Sequence, residues 1–169
     1  MGNSDVRWEE KYAKVVLSGG HEIFFERFLL ATQINSLIII SPWITTLENE
    51  RVSLDDILSK IKKEKVKSTI IMRDPKKEPL NAKAFHLFSN NENINLFVNN
   101  ELHAKVYICR CSPFGFALVG SANLSGKATR AYEVGVLIEG KGHGREIVEQ
   151  LELLGTDDLP NRSGTIFIS

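Results

Sequence analysis

Two pairs of polar residues, separated by a short apolar run, carry the side chains most suited to chemistry. His103 and Lys105 form the first pair, and Ser121 and Asn123, which follow Gly120, form the second. Residues two apart in a strand point to the same face, so strands at these positions would aim each pair at one spot. These groups suit a phosphate diester, because the imidazole offers a nitrogen nucleophile and the other groups can contact the non-bridging oxygens. This chemistry needs no metal ligands.

The joint pattern His103-x-Lys105 with Gly120-Ser121-x-Asn123 resembles the HKD motif of the phospholipase D superfamily. Either half alone is unspecific, whereas the combination is much more specific. The resemblance covers roughly residues 21 to 139. In the motif an Asp follows the Lys after four intervening residues, and that position is Arg110 here. Several nuclease-type members also lack this Asp, so the departure weakens a phospholipase function more than a nuclease function.

The resemblance implies a role for each site residue. His103 would attack phosphorus, form a covalent phosphohistidine and expel an alcohol. Lys105 would clamp the phosphate, and Asn123 would donate to a non-bridging oxygen as charge builds in the transition state. Glu133 matches an acidic residue that accepts a hydrogen bond from the other imidazole nitrogen and so fixes the tautomer. Ser121 would either bind phosphate or only shape the turn after the glycine.

Two further residues are placed by the expected strand pattern. Strict alternation puts Arg110 on the sheet face opposite His103, so we expect it to stay outside the site. Trp43 follows a buried strand, and sites in open α/β sheets lie at such strand ends. Trp43 would therefore either line a substrate groove, stacking on a base, or pack at the sheet edge.

The motif occurs once in this chain, whereas monomeric phospholipase D enzymes carry it twice. After the nucleophilic attack, a general acid must protonate the leaving oxygen, and in the superfamily the histidine of the second motif does this. An identical chain is the simplest source of the missing half. We therefore expect a C2 homodimer in which two copies of His103 meet at the interface.

The elements that must position these residues follow from the hydrophobic pattern. Strands are predicted at 13–18, 36–41, 66–72, 94–98, 103–109, 114–119 and 132–139, and helices at 21–36, 52–63, 80–89 and 145–154. Ser53 is a predicted N-cap, and Ser112-Pro113 a predicted hairpin turn. Alternation of strands and helices in the first half indicates parallel strands joined by crossovers. The predicted fold class is therefore α/β, a mixed sheet with helices on both faces. It forms one phospholipase D-like domain over residues 1–169, with a core at about 21–154.

The composition of the chain restricts the classes of function that it can have. The 169 residues include 21 basic and 21 acidic side chains, so the chain is not strongly basic, although a local basic cleft would still bind nucleic acid. Cys109 and Cys111, two apart in a strand, are expected to be free thiols in a reducing cytoplasm. We find no signal peptide, no apolar run of membrane-spanning length and no metal-binding cysteine or histidine cluster, so no cofactor is expected.

The leading functional hypothesis is a metal-independent phosphodiesterase that acts on nucleic acid, as a nuclease. Two alternatives remain open: a phospholipase D or other phosphatidyl-transfer enzyme with the same covalent chemistry, and a catalytically degenerate nucleic-acid-binding module. No segment is recognisable as a reader of base edges, so sequence specificity would require another domain or chain.

Overall fold

The structure, a computed structural model, describes residues 12–48, 50–126 and 131–166. Within these residues lie eight strands: β1 (Ala13–Leu17), β2 (Ile34–Ile40), β3 (Lys67–Met72), β4 (Ile94–Val98), β5 (Val106–Cys111), β6 (Phe116–Gly120), β7 (Val134–Glu139) and β8 (Gly164–Ile166). The longer helices of the same residues are α1 (Gly20–Leu30), α2 (Leu54–Glu64), α3 (Ala82–Ser89) and α4 (Gly144–Leu153). A 3-10 turn, Pro79–Asn81, leads into α3, and a π-helical turn, Leu154–Asp158, continues α4.

The eight strands form one mixed sheet in the order β1-β7-β6-β5-β2-β3-β4-β8. Strands β2, β3 and β4 are parallel, because α2 and α3 serve as the crossovers between them. Strands β5, β6 and β7 are antiparallel neighbours, and β1 and β8 pair antiparallel at the two edges. The predicted fold class, a mixed sheet in one domain, is confirmed.

Helices cover both faces of the sheet, as predicted, and strand β2 shows why the run from Leu37 to Ile40 is apolar. Leu37 and Ile39 point into the larger core, which α1, α2 and α3 cover. Ile38 and Ile40 point into the smaller core on the opposite face, where Val148 of α4 packs. A strand that is buried on both faces needs a continuous apolar run, because polar side chains would have no access to water on either side.

Helix α2 begins where the sequence predicts. The Asp56 amide donates to Ser53 Oγ at 3.1 Å, and the Ser53 amide donates to Asp56 Oδ2 at 2.9 Å. This reciprocal pair is a capping box, which satisfies two amides that the first turn of a helix leaves free.

Helix α1 differs from its predicted range. It ends at Leu30, because residues from Ile34 onwards join β2, where Ile34 pairs with Cys111 of β5. The periodicity of the sequence predicts a buried stripe of Ile23, Phe24, Phe28 and Ala31 on this helix. Phe24 and Phe28 are buried as predicted, whereas Ile23 is exposed and Phe25 is fully buried instead.

Further differences concern the last described strand and the starts of three others; β6 and β7 each begin two residues later than predicted. Strand β8, in the tail for which no strand was predicted, pairs with β4. Strand β5 begins at Val106, three residues after the predicted start. Both cysteines are free, as predicted. Among the helices that the structure describes, none combines the length and the apolar character needed to cross a membrane.

Candidate active site

Four chain segments meet at one edge of the sheet, and the predicted site residues lie there. The register pairs Ile40, at the end of β2, with Val106, at the start of β5. Val106 pairs with Val119, and Gly120, at the end of β6, pairs with Gly135 near the start of β7. The two halves of the sequence motif therefore flank neighbouring strands at the same edge, as the sequence predicts.

The pair His103 and Lys105 precedes β5 instead of lying in it, so the prediction that strand alternation aligns the two side chains is wrong. Backbone contacts position the pair instead. The Gly120 amide donates to the Lys105 carbonyl at 3.2 Å, which joins the two halves of the motif directly. Lys105 Nζ donates to the His103 carbonyl at 2.8 Å, and the side chain of His103 is exposed. Lys105 thus braces the segment that carries the imidazole.

The glycine of the second motif half is required by close packing. A Cβ atom at Gly120 would lie 2.6 Å from the carbonyl oxygen of Val134, which no side chain could tolerate. The next residue, Ser121, exchanges two bonds with Val134: its amide donates to the Val134 carbonyl at 3.0 Å, and its Oγ accepts from the Val134 amide at 3.1 Å. The hydroxyl also donates to the carboxylate of Glu133. Ser121 therefore shapes this turn, and its hydroxyl orients the carboxylate that the sequence assigns to the imidazole.

The segment that carries Asn123 is fixed from two sides. The buried hydroxyl of Tyr107 donates to the Ala122 carbonyl at 2.8 Å, and burial raises the pKa of Tyr107, so the group stays a proton donor. On the other side, the Leu124 amide donates to Ser41 Oγ at 3.1 Å. Asn123 Oδ1 is buried and has no hydrogen-bond partner among the described residues. The backbone on both sides of Asn123 is thus held by hydrogen bonds, while its side-chain oxygen has no partner among the described residues.

A cleft of about 670 Å³ opens beside this amide. Trp43 and Leu47 give its wall an apolar part, and Asn123, Glu50 and Glu133 contribute polar groups. The structure therefore brings three of the predicted residues, Trp43, Asn123 and Glu133, to one cavity, and Ser121 joins them through its bond to Glu133. His103 and Lys105 lie at the same sheet edge but do not line this cleft.

Arg73, which sequence analysis did not select, connects Trp43 with the segment before His103. Its Nε donates to the Leu102 carbonyl at 3.0 Å, and its Nη1 pairs with Glu78 Oε1 at 3.0 Å. The guanidinium lies 4.7 Å from the centre of the Trp43 ring, and Trp43 Nε1 donates to Glu78 Oε2 at 2.9 Å. The bonds from Trp43 and Arg73 hold the pKa of Glu78 below its ordinary value. The indole is therefore fixed in orientation beside the cleft.

Asn81 holds the loop after β2 and was also missed. Its Oδ1 accepts from the Ile44 amide at 2.9 Å, and its Nδ2 donates to the carbonyls of Pro42 and Arg73, both at 2.9 Å. The side chain is fully buried. No local sequence signal marks this asparagine, since two of its three partners, Pro42 and Ile44, lie almost forty residues away along the chain.

Arg110 is directed away from the site. Its side chain forms ion pairs with Glu149 and Glu152 of α4, at 3.9 and 3.2 Å, on the face of the smaller core. The residue that occupies the Asp position of the motif thus has a structural role between sheet and helix. The described residues contain no group of three or more acidic, histidine or cysteine side chains placed to hold a metal ion.

Sequence comparison identifies the family. The chain belongs to the family described as cardiolipin synthase, PLD-like domain, which matches residues 29–154. The chain is therefore a member of the phospholipase D superfamily, as its motif indicates. No curated protein matches it by sequence.

Solved structures share the fold at low sequence identity. Nuc from Salmonella typhimurium, a phospholipase D family member, is 17% identical with a TM-score of 0.66, over 91% of this chain and 98% of Nuc. NucT from Helicobacter pylori is 16% identical with a TM-score of 0.65, over 92% of this chain and 98% of NucT. TrmBL2, an archaeal chromatin protein that binds DNA, is 14% identical with a TM-score of 0.58. The match to TrmBL2 covers 98% of this chain and 57% of TrmBL2, so the chain spans just over half of that protein.

Proposed function

We propose that this protein is a metal-independent phosphodiesterase that hydrolyses nucleic acid through a phosphohistidine in a site completed by a second copy of the chain. The observation that carries the proposal is the bond between the Gly120 amide and the Lys105 carbonyl. It joins the segment of the exposed imidazole, which lies outside the cleft, to the segment of Asn123, which lines the cleft and whose Oδ1 has no partner among the described residues. The residues to which we assign the roles of nucleophile, cation and neutral donor therefore lie at the same edge of the sheet.

The first chemical step forms a phosphorus–nitrogen bond and breaks a phosphorus–oxygen bond. A neutral ring nitrogen of His103 attacks phosphorus, and the leaving alkoxide takes a proton from the imidazolium of a second His103. In the second step the now neutral second imidazole removes a proton from water, and the resulting hydroxide displaces His103 from phosphorus. Phosphate monoester, alcohol and both imidazoles are the products, with the original protonation states restored.

Lys105 and Asn123 would stabilise the charge that builds on the non-bridging oxygens in both steps. The ammonium has three donors and uses one on the His103 carbonyl, which leaves two for phosphate. The Asn123 amide can turn its nitrogen toward the cleft, since its oxygen has no partner to hold it. Glu133, which Ser121 orients, would accept the hydrogen bond of the nitrogen that does not attack.

The choice of nucleic acid rests on the motif and on the shape of the site. Arg110 replaces the motif Asp and is bound to α4, which agrees with a nuclease-type variant of the motif. Trp43 presents an aromatic ring at the cleft, where a base would stack for about 1–3 kcal/mol. The fold is also found in TrmBL2, which is described as binding DNA.

The proposal is tested with supercoiled plasmid DNA in the presence of EDTA. The wild-type protein is expected to nick the plasmid, and His103→Ala is expected to abolish nicking. Asn123→Ala should reduce the rate about 10²–10³-fold, as expected when one transition-state donor is lost. His86→Ala is the matched control, because His86 is an exposed histidine on α3 and should leave the rate unchanged.

Two results would select another function. Release of headgroup from phospholipid vesicles without any cleavage of DNA would indicate phosphatidyl transfer, the activity for which the family is named. DNA binding without cleavage, unaffected by His103→Ala, would indicate a binding module.

A further inference from the structure

The cleft beside Asn123 has an apolar part and an acidic part. Its described apolar side chains include Trp43, Leu47 and Leu80, and its described carboxylates are those of Glu48, Glu50 and Glu133. Leu80 is 65% exposed, although it is a large aliphatic side chain on the wall of a cavity. An apolar side chain left uncovered in a cleft indicates a ligand with an apolar surface. The carboxylates are hydrogen-bond acceptors, so a complementary ligand also carries donors.

Charge decides which part of a nucleic acid would enter this cleft. A phosphate would be repelled by the three carboxylates and attracted by the ammonium of Lys105, which lies at the same sheet edge outside the cleft. A phosphodiester beside His103 would therefore direct an uncharged neighbouring group into the cleft, and in a nucleic acid this group is the base. The cleft volume of about 670 Å³ falls in the range of about 300–1,000 Å³ typical of small-molecule pockets. It suits one base with its sugar, and such a base must be out of the duplex stack.

The indole of Trp43 is held in an orientation in which a base can stack on it. The guanidinium of Arg73 lies 4.7 Å from the ring centre and covers one face, while Trp43 Nε1 donates to Glu78 Oε2 at 2.9 Å. A ring that is fixed in this way loses little freedom when a base stacks on its other face. Stacking accepts all four bases. Selection among bases therefore depends on the hydrogen-bonding groups of the cleft.

Two of the three carboxylates already have partners. Glu48 accepts from Lys83 Nζ at 2.6 Å and from Thr46 Oγ1 at 3.0 Å. Glu133 accepts from the Ser121 hydroxyl, and the proposed mechanism assigns this carboxylate to the imidazole. The third carboxylate is therefore the candidate for reading the base.

This third carboxylate, that of Glu50, adjoins a position that a glycine keeps open. A Cβ atom at Gly126 would lie 3.0 Å from Glu50 Oε1, and both residues line the cleft. The Glu50 amide donates to the Leu47 carbonyl at 3.2 Å, which fixes the backbone of the residue. Glu50 is partly buried, so water competes less for the hydrogen bonds of its carboxylate than it would at an open surface.

We propose that Glu50 makes the cleft a pocket that selects guanine in a single-stranded segment, beside the phosphodiester to be cut. The inference rests on the proposed function and gives it a base preference, which the sequence alone did not predict. The two oxygens of a carboxylate match the adjacent N1–H and N2–H₂ donors on the Watson–Crick edge of guanine. Each of the other bases presents an acceptor atom beside its donor, and that atom would face the negative charge of Glu50.

The test measures binding separately from cleavage. Isothermal titration calorimetry is done with His103→Ala, which cannot form the phosphohistidine, and with single-stranded dT hexamers that carry dG, dA or dC at one central position. We expect the dG hexamer to bind about 10- to 100-fold more tightly than the others. Adding Glu50→Gln should remove this preference, while adding Trp43→Leu should weaken all hexamers alike and keep it. Circular dichroism checks that each variant is folded.

Glu92→Gln is the matched control for the carboxylate. Glu92 is exposed in the turn before β4, and the start of this parallel strand lies at the sheet edge opposite the end of β2. The guanine preference should therefore be unchanged in this variant. Cleavage of the same hexamers in EDTA by the chain with His103 intact gives the activity.

The outcomes separate the pocket from the activity. Equal affinity for all hexamers, or a guanine preference that persists in Glu50→Gln, overturns the inference whether or not the hexamers are cut. A preference that depends on Glu50, without any cleavage by the chain with His103 intact, supports the pocket and refutes the nuclease. Binding of phosphocholine but of no hexamer also overturns the inference, since the carboxylates would then serve a cationic headgroup.

Discussion

Replacing Asn81 with leucine tests how the loop after β2 is held at the sheet edge. The substitution keeps the side-chain volume nearly constant but removes all three hydrogen bonds of the buried amide. The Ile44 amide and the Arg73 carbonyl would then be left without their partner, whereas the Pro42 carbonyl would keep its bond from the Arg73 amide at 3.3 Å. Trp43 lies within this loop, so the wall of the cleft depends on the same bonds.

The magnitude follows from the number of groups affected. A buried polar group without a partner costs about 1–3 kcal/mol, so two such groups cost about 2–6 kcal/mol. Burial of the leucine side chain returns about 1.5–3 kcal/mol. We therefore expect Asn81→Leu to lower the free energy of unfolding by about 1–3 kcal/mol, a substantial part of the about 5–15 kcal/mol typical of a domain.

Urea unfolding, followed by circular dichroism, measures this difference. Asn95→Leu is the matched control, because Asn95 is exposed on β4, and a change within about 0.5 kcal/mol is expected there. Asn81→Asp should be at least as destabilising as leucine, since a carboxylate would face two carbonyl oxygens. A loss below about 1 kcal/mol for Asn81→Leu, with an unchanged dependence on urea, would refute this account of the loop.

Three further predictions concern residues around the site. Arg73→Lys should lower the nicking rate about tenfold with little change in substrate affinity, because lysine lacks the planar fork that binds a carbonyl and a carboxylate together. Tyr107→Phe should cost about 1–2 kcal/mol in urea unfolding and also slow nicking, because a buried carbonyl loses its donor. Burial lowers the pKa of His21 from its ordinary 6.5, against the opposing effect of Glu50 and Glu133. The folded state therefore binds this proton less readily than the unfolded state, and stability is lost as the pH falls below 6.5. His21→Leu should show a smaller drop in melting temperature between pH 8 and pH 5 than the wild type.

Local sequence patterns were sufficient to predict much of the fold. The apolar run from Leu37 to Ile40 identified a strand covered on both faces, and Ser53 with Asp56 identified the start of α2. Both features depend on residues that are close together in the sequence, so they can be predicted from a single sequence. The mixed sheet followed because helices between strands require parallel pairing.

The start of β5 could not be predicted in the same way, because its partner strand decides it. Strand β2 ends at Ile40, opposite Val106, and the chain after Pro42 turns away to meet Leu124. His103 and Lys105 therefore have no residue of β2 to pair with and lie before β5, although their own sequence favours a strand. Arg73 and Asn81 were missed for a similar reason: Arg73 contacts Leu102, and Asn81 contacts Pro42 and Ile44, and tertiary structure brings these distant partners together. The motif residues could be selected from sequence, and their chemical roles remain predictions.

The parallel bridge between Ile44 and Leu124 joins segments about eighty residues apart along the chain. Contacts of such separation form late in folding, because a long loop must first be closed. A nascent chain that has released only β2, β3 and β4 from the ribosome holds neither the Ser41–Leu124 bond nor the imidazole segment. If the chain is the covalent catalyst proposed above, cleavage by a half-made chain would harm the cell. The proposed site residues meet only after β6 has been made, so the proposed reactivity would arise late in synthesis of the domain.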